Sequence, residues 1–208
     1  VSRTEAGASL SGPGTPTDLY AEGAQGNAYY ARVARSEPCV MELVSKLAKE
    51  PWTDRPSSVH PVLGAVARTV HDYSSPAGRR ALLPLAPSFL ATAQAGFESS
   101  ARLVALCVSA ALTSPDPNCI TKDERGRLAG AQETALYLLA SRPADQRPGG
   151  FARWWLPVLD RLNLSESFYR GFVATEHAAE AVAVTARASG GDSDVRLRRL
   201  LKQCLATV

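Results

Sequence analysis

The spacing of proline and glycine constrains this chain more than any other feature. Pro38, Pro51, Pro61, Pro76, Pro84, Pro87 and the pair Gly190-Gly191 cut it into short lengths. In the length after Pro38, Val40, Leu43, Val44 and Leu47 recur at i, i+3, i+4 and i+7, the period of one helical face, and most other lengths carry a similar apolar stripe. Proline lacks an N–H and has a fixed φ, so it starts, ends or kinks helices, and glycine past a last turn stops them. No stretch alternates β-branched and polar residues as a half-buried strand does. Alanine and leucine, strong helix formers, dominate, and Ile120 is the sole isoleucine. These features predict an all-α fold: a single-domain bundle or orthogonal array of about seven to eight helices spanning residues 28–208. Residues 1–27 are rich in Gly, Ser, Thr, Pro and Ala without any period, and are expected to form a disordered tail.

The expected helices follow from the stripes. A helical pattern begins at Ala28; after Pro38 the first full stripe runs Cys39 to Lys49, with Val40, Leu43, Val44 and Leu47 on one face and Pro51 as its stop. The second runs Pro61 to Tyr73, carrying Val62, Leu63, Val66 and Val70. A third segment, Ala77 to about Ala93, is expected to kink or split at Pro84 and Pro87. Ser99 to Leu112 reads as a buried helix, with a loop over Pro115 to Asn118. Thr121 and Glu124 form a capping-box pattern opening a long helix to about Ser141, with Leu128, Ala131, Ala135 and Leu138 facing the core. Phe151 to Asn163, with Trp154 and Trp155, forms another stripe. Ser165 is expected to cap a helix to about Ser189. The last helix runs from Asp192 to about Thr207, with Leu197, Leu201 and Cys204 inward.

The formal net charge of +3 is too small to imply binding to nucleic acid or to a membrane. Cys39, Cys107, Cys119 and Cys204 form no CxxC pair, and read as reduced thiols rather than a disulfide framework. No apolar run is long enough to cross a bilayer, and no hydrophobic signal core opens the chain. A cytoplasmic protein is therefore expected, complete if Val1 is a literal GTG start. No Walker loop, GxGxxG, GxSxG, HExxH or zinc-ribbon spacing occurs, so no cofactor and no metal are expected.

The densest polar cluster is Glu42, Glu50, Trp52, Thr53, Asp54, Arg55 and His60, across a helix end, a loop and a helix start. Two carboxylates and a histidine can bind a metal or move a proton. The plain structural alternative has Asp54 or Thr53 bonding nearby amides, Arg55 pairing with an acid, and Trp52 filling a gap between helices. The runs Cys39-Val40-Met41-Glu42, Glu50-Pro51-Trp52-Thr53-Asp54-Arg55-Pro56, Pro61-Val62-Leu63 and Arg68 with Asp72 resemble an uncharacterised helical family of actinobacteria and their phages. That family's motif is roughly C-[LV]-M-E followed by E-P-[FW]-[ST]-D-x-P. The resemblance implies kinship without an established activity. Arg55 and Ser58 stand where that family tends to have His and a second Cys. An arginine stays protonated and cannot ligate, which leaves Cys39 and, as a substitute, His60.

Two further groups are Glu176, His177 and Glu180 on one helix, and the basic terminal helix with Arg196, Arg198, Arg199 and Lys202. A surface pair and a solvated face are the simpler explanations. The expected function is a non-enzymatic helical interaction or regulatory protein, with a protein partner or a second copy as its target. The alternatives are an enzyme or metal-dependent protein with its site between Cys39 and His60, and nucleic-acid binding through the basic C-terminal helix.

Overall fold

Helix α1, Val40–Leu47, begins where Cys39 takes an extended backbone and the Glu42 carboxylate accepts the Cys39 N–H at 2.8 Å. This computed structural model describes residues 39–113, 116, 119–140 and 168–208. The tail expected at 1–27, residues 28–38, all but residue 116 of the loop expected at Pro115 to Asn118, residues 142–150, the helix expected at 151–163 with Trp154 and Trp155, and the expected Ser165 cap lie outside the described residues. Among the described residues there are seven α-helices and no strand, so the fold is all-α. They are α1, α2 (Pro61–Tyr73), α3 (Pro76–Leu82), α4 (Phe97–Leu112), α5 (Lys122–Ala140), α6 (Ala174–Arg187) and α7 (Ser193–Thr207).

Most boundaries follow the punctuation. Pro61 opens α2 and Pro76 opens α3, each in a first turn. Pro84 and Pro87 split the third segment as expected, giving the 3₁₀ segments Leu83–Phe89 and Thr92–Gln94 after α3. The capping box at α5 is made: Thr121 N–H donates to Glu124 at 3.0 Å, and Glu124 N–H donates to Thr121 Oγ1 at 3.2 Å. Helix α4 starts two residues before its expected Ser99, on Gly96. The first helix is shorter than expected. It ends at Leu47 because Lys49 turns left-handed at φ 58°, with Lys49 N–H donating to Lys46 and Glu50 N–H to Ser45 carbonyls. That is a Schellman closure with lysine at the position glycine usually takes, so the stop precedes Pro51.

Helix α6 is central. It packs most extensively against α2 and α4, and also touches α5 and α7. Its inward residues Ala174, Ala178 and Ala181 are fully buried, and small side chains let several helices close on one axis. Helix α5 covers α4, and α1 rests on α2 and the 3₁₀ segment Leu83–Phe89. Leu63, Leu103, Leu128, Leu197 and Leu201 are fully buried, each burial contributing about 1.5–3 kcal/mol. Cys107 of α4 and Cys204 of α7 are buried free thiols with sulfurs 3.7 Å apart. Helix α7 docks through its first turn: Asp194 accepts Ser75 N–H at 2.9 Å and the Ser75 hydroxyl, while Ser75 caps α3 by accepting Gly78 N–H. A methyl group at Gly78 would lie 2.5 Å from the Asp194 carboxylate, so the clasp requires glycine there. Among the described residues no helix is long and apolar enough to cross a membrane.

Candidate functional site

The connection from α1 to α2 is tied by its own carboxylates. Glu42 is spent on capping α1. Glu50 accepts the N–H groups of Ser57 at 2.6 Å and Ser58 at 2.8 Å, which folds the loop back on itself. Its slight burial, which raises a carboxyl pKa, is outweighed by the hydrogen bonds from Ser58 and Ser57, so it lies below the usual range. Thr53 Oγ1 accepts Arg55 N–H at 3.1 Å, the local bond expected of it. Asp54 pairs with Arg68 of α2, its carboxylate 3.8 Å from Nε and its carbonyl accepting from Nη1 at 3.0 Å. The acid's partner is thus Arg68 rather than Arg55. Trp52 does not fill a gap between helices but stands 56% exposed. The left-handed turn at Lys49 redirects the chain just before it, and the buried loop residues are Pro56, Val59 and His60.

His60 is fully buried at the N-terminus of α2. Its N–H donates to Thr92 Oγ1 at 3.1 Å, and Nε2 lies 3.2 Å from Ser100 Oγ of α4. Nδ1 is buried without a hydrogen-bond partner among the described residues. Burial, and then the charge of Arg170, lower its pKa to about 4, so the ring is neutral near pH 7.

The loop borders a cavity of about 570 Å³, whose lining includes Arg55, Ser57, Gly64, Arg68, Arg170 and Phe172. Of Glu42, Glu50, Trp52, Asp54, Arg55 and His60, only Arg55 lines it. The carboxylates and His60 do not converge around this cavity. Among the described residues no three His, Cys, Asp or Glu side chains are grouped as metal ligands. What does converge is positive charge. Arg68 comes from the third turn of α2, and its pKa is lowered by burial and by the neighbouring Arg55, with Asp54 opposing. Arg170 lies in a π-helical turn, Tyr169–Val173, that leads into α6. It donates from Nη2 to the Ala93 carbonyl, while its Nε is buried without a partner among the described residues. The Ala93 N–H in turn donates to Ser58 at 3.1 Å, so one backbone unit links Arg170 to the loop. Phe172 projects from the same π turn, 62% exposed, stacked on Phe168 with ring centres 5.2 Å apart. Guanidiniums gathered without a lining carboxylate raise the electrostatic energy of the empty fold, an arrangement common where an anion binds.

Sequence reasoning missed Arg170 and Phe172. The available signal was Gly171 inside an otherwise helical run, between an arginine and a phenylalanine. Glycine weakens a regular helix, and π turns, which admit an extra residue, recur at functional sites. The other two sequence candidates have structural explanations. Glu180 pairs with Arg127 of α5 at 2.7 Å, and Glu124 with Arg187 at 2.6 Å, so these residues join α5 to α6. On α7, Arg198 and Lys202 border a depression beside α3, whereas Arg196 borders another beside α4, with Arg199 reaching both. The basic residues are thereby divided between two sides. Compared with known protein families, curated proteins and solved structures, the chain matches none.

Proposed function

We propose that this is a non-enzymatic helical regulatory protein that responds to an anionic ligand taken into the cleft between the α1–α2 loop, α2 and the π turn. The observation that carries this reading is the convergence of Arg55, Arg68 and Arg170 on one cavity with no carboxylate among its described lining residues. Arginine forks bind carboxylate and phosphate oxygens in pairs. Regulation rather than turnover is inferred because the titratable groups that would move a proton are committed elsewhere: Glu42 to a cap, Glu50 to the loop, and His60 to a buried, neutral state. A cytoplasmic setting belongs to the same proposal, as does kinship with the actinobacterial and phage family, which rests on the motif residues alone.

The test is calorimetric titration of the full chain with phosphate, sulfate and citrate at low salt. At least one anion is expected to bind without being consumed, and Arg55→Ala is expected to weaken it about tenfold, the loss of one charge-assisted contact. Affinity unchanged in Arg55→Ala, or no binding by any of the three, would remove the reading.

A further inference from the structure

Resting on that reading of the cleft, we infer that its ligand is a phosphate monoester carried on a planar ring, of the class of a free nucleoside monophosphate.

Three independent features favour this class over other anions. The first is charge. Three guanidiniums border the cavity, and Asp54 pairs only Arg68, which leaves Arg55 and Arg170 uncompensated among the described residues. A phosphate monoester carries about −1.5 to −2 at pH 7, which matches two free positive charges. Arg170 is held for the task. The Ala93 carbonyl fixes its Nη2, and a carbonyl, unlike an acid, does not cancel its charge.

The second is the aromatic wall. Phe172 is a large exposed apolar side chain lining the same cavity as the three arginines. Phe168 stacks on one of its faces with an interplanar angle of 28°, so the ring is braced and its other face is available. A braced phenyl ring is a platform for a flat heterocycle, since every nucleobase has a π-face. Inorganic phosphate or citrate makes no use of it.

The third is size. A volume of about 570 Å³ lies within the range of small-molecule sites, roughly 300–1,000 Å³. In this inference the phosphate sits among Arg55, Arg68 and Arg170 and the ring on Phe172, all of which line the one cavity.

The experiment titrates the full chain with adenosine monophosphate, adenosine, ribose 5-phosphate and citrate at low salt. The monophosphate is expected to bind about tenfold more tightly than ribose 5-phosphate, and adenosine at least tenfold more weakly than the monophosphate. Phe172→Ala, at an exposed position, is expected to reduce monophosphate binding to the ribose 5-phosphate level and to leave ribose 5-phosphate unchanged. Arg55→Ala is expected to weaken both phosphates together. Citrate binding with no binding of the monophosphate would overturn this inference while leaving the anion cleft standing. Equal monophosphate affinity in wild type and Phe172→Ala would overturn it as well. A 5′-phosphorylated single strand carries the same groups, and binding of the strand without the free nucleotide would overturn the assignment to a small molecule. Binding of none of them would remove both the inference and the reading beneath it.

Discussion

His60 shows how one side chain is read differently as a letter and as a packed group. As a letter it sits among carboxylates in a polar loop. In the fold it is sealed between Ser100 and the turn at Thr92, close enough to Arg170 for that charge to act on it. Its folded pKa of about 4 lies below the ordinary 6.5, so between those values the unfolded chain binds a proton that the native chain does not. Stability from this group is therefore complete above about pH 6.5 and falls as the pH drops toward 4. The expected loss between pH 7 and pH 5 is about 2 kcal/mol. His177, whose pKa is lowered by burial against the opposing Glu180 and Glu176, adds in the same direction. Urea unfolding at the two pH values should show a difference smaller by that amount in His60→Gln than in wild type. Equal pH slopes would mean that His60 is protonated in the native state.

At the scale of elements, the helices were legible wherever the chain carried its own start and stop. Pro61, Ser75-Pro76 and the Thr121/Glu124 box act within a few residues of themselves, so reading them requires no knowledge of neighbours. The end of α1 was less legible because its stop is a backbone conformation adopted by an unremarkable residue. Lys49 occupies the left-handed region, where a Cβ is crowded, and it is exposed. Lys49→Gly should therefore stabilise the protein by about 0.5–1 kcal/mol, seen as a higher urea midpoint with an unchanged slope. No gain would show that the Schellman closure is not formed in solution. The π turn at Tyr169–Val173 left only Gly171 as a signal in the sequence. Its placement depends on Tyr169 being buried against Phe97 of α4, with ring centres 5.3 Å apart, a contact between distant parts of the chain.

At the scale of the molecule, α6 sets the distance between α2 and α4. Its alanines look like weak core residues by size, yet they occupy the axis on which the other helices close. A larger side chain there has no space to enter. Ala178→Leu is expected to cost about 1–3 kcal/mol through forced shifts of α2 and α4. Glu176→Ala, on the exposed side of the same helix, should change stability by less than about 0.5 kcal/mol. Thermal or urea unfolding of the two variants checks this, and equal effects would argue that α6 is not the packing axis. The overpacked variant should also weaken anion binding, because Arg68 rides on α2 and Arg170 on the turn leading into α6.

The sequence by itself determined the fold class, most helix positions and the buried face of each, because period, caps and breakers are properties of neighbouring residues. Val62, Leu63, Val66 and Val70 were bound to face inward whatever they met there. Of the cavity's arginines, the sequence singled out Arg55 as a candidate and Arg68 as a motif residue, but not Arg170. Which carboxylates would be spent on caps and loops, and which arginines would be left unneutralised, depended on where α2, the turn at Ala93 and the π turn came to rest against one another. Tertiary packing decided that, since periodicity specifies that a face is buried but not which face it will bury against. The polar groups on the opposite sides are carried to their places by that choice.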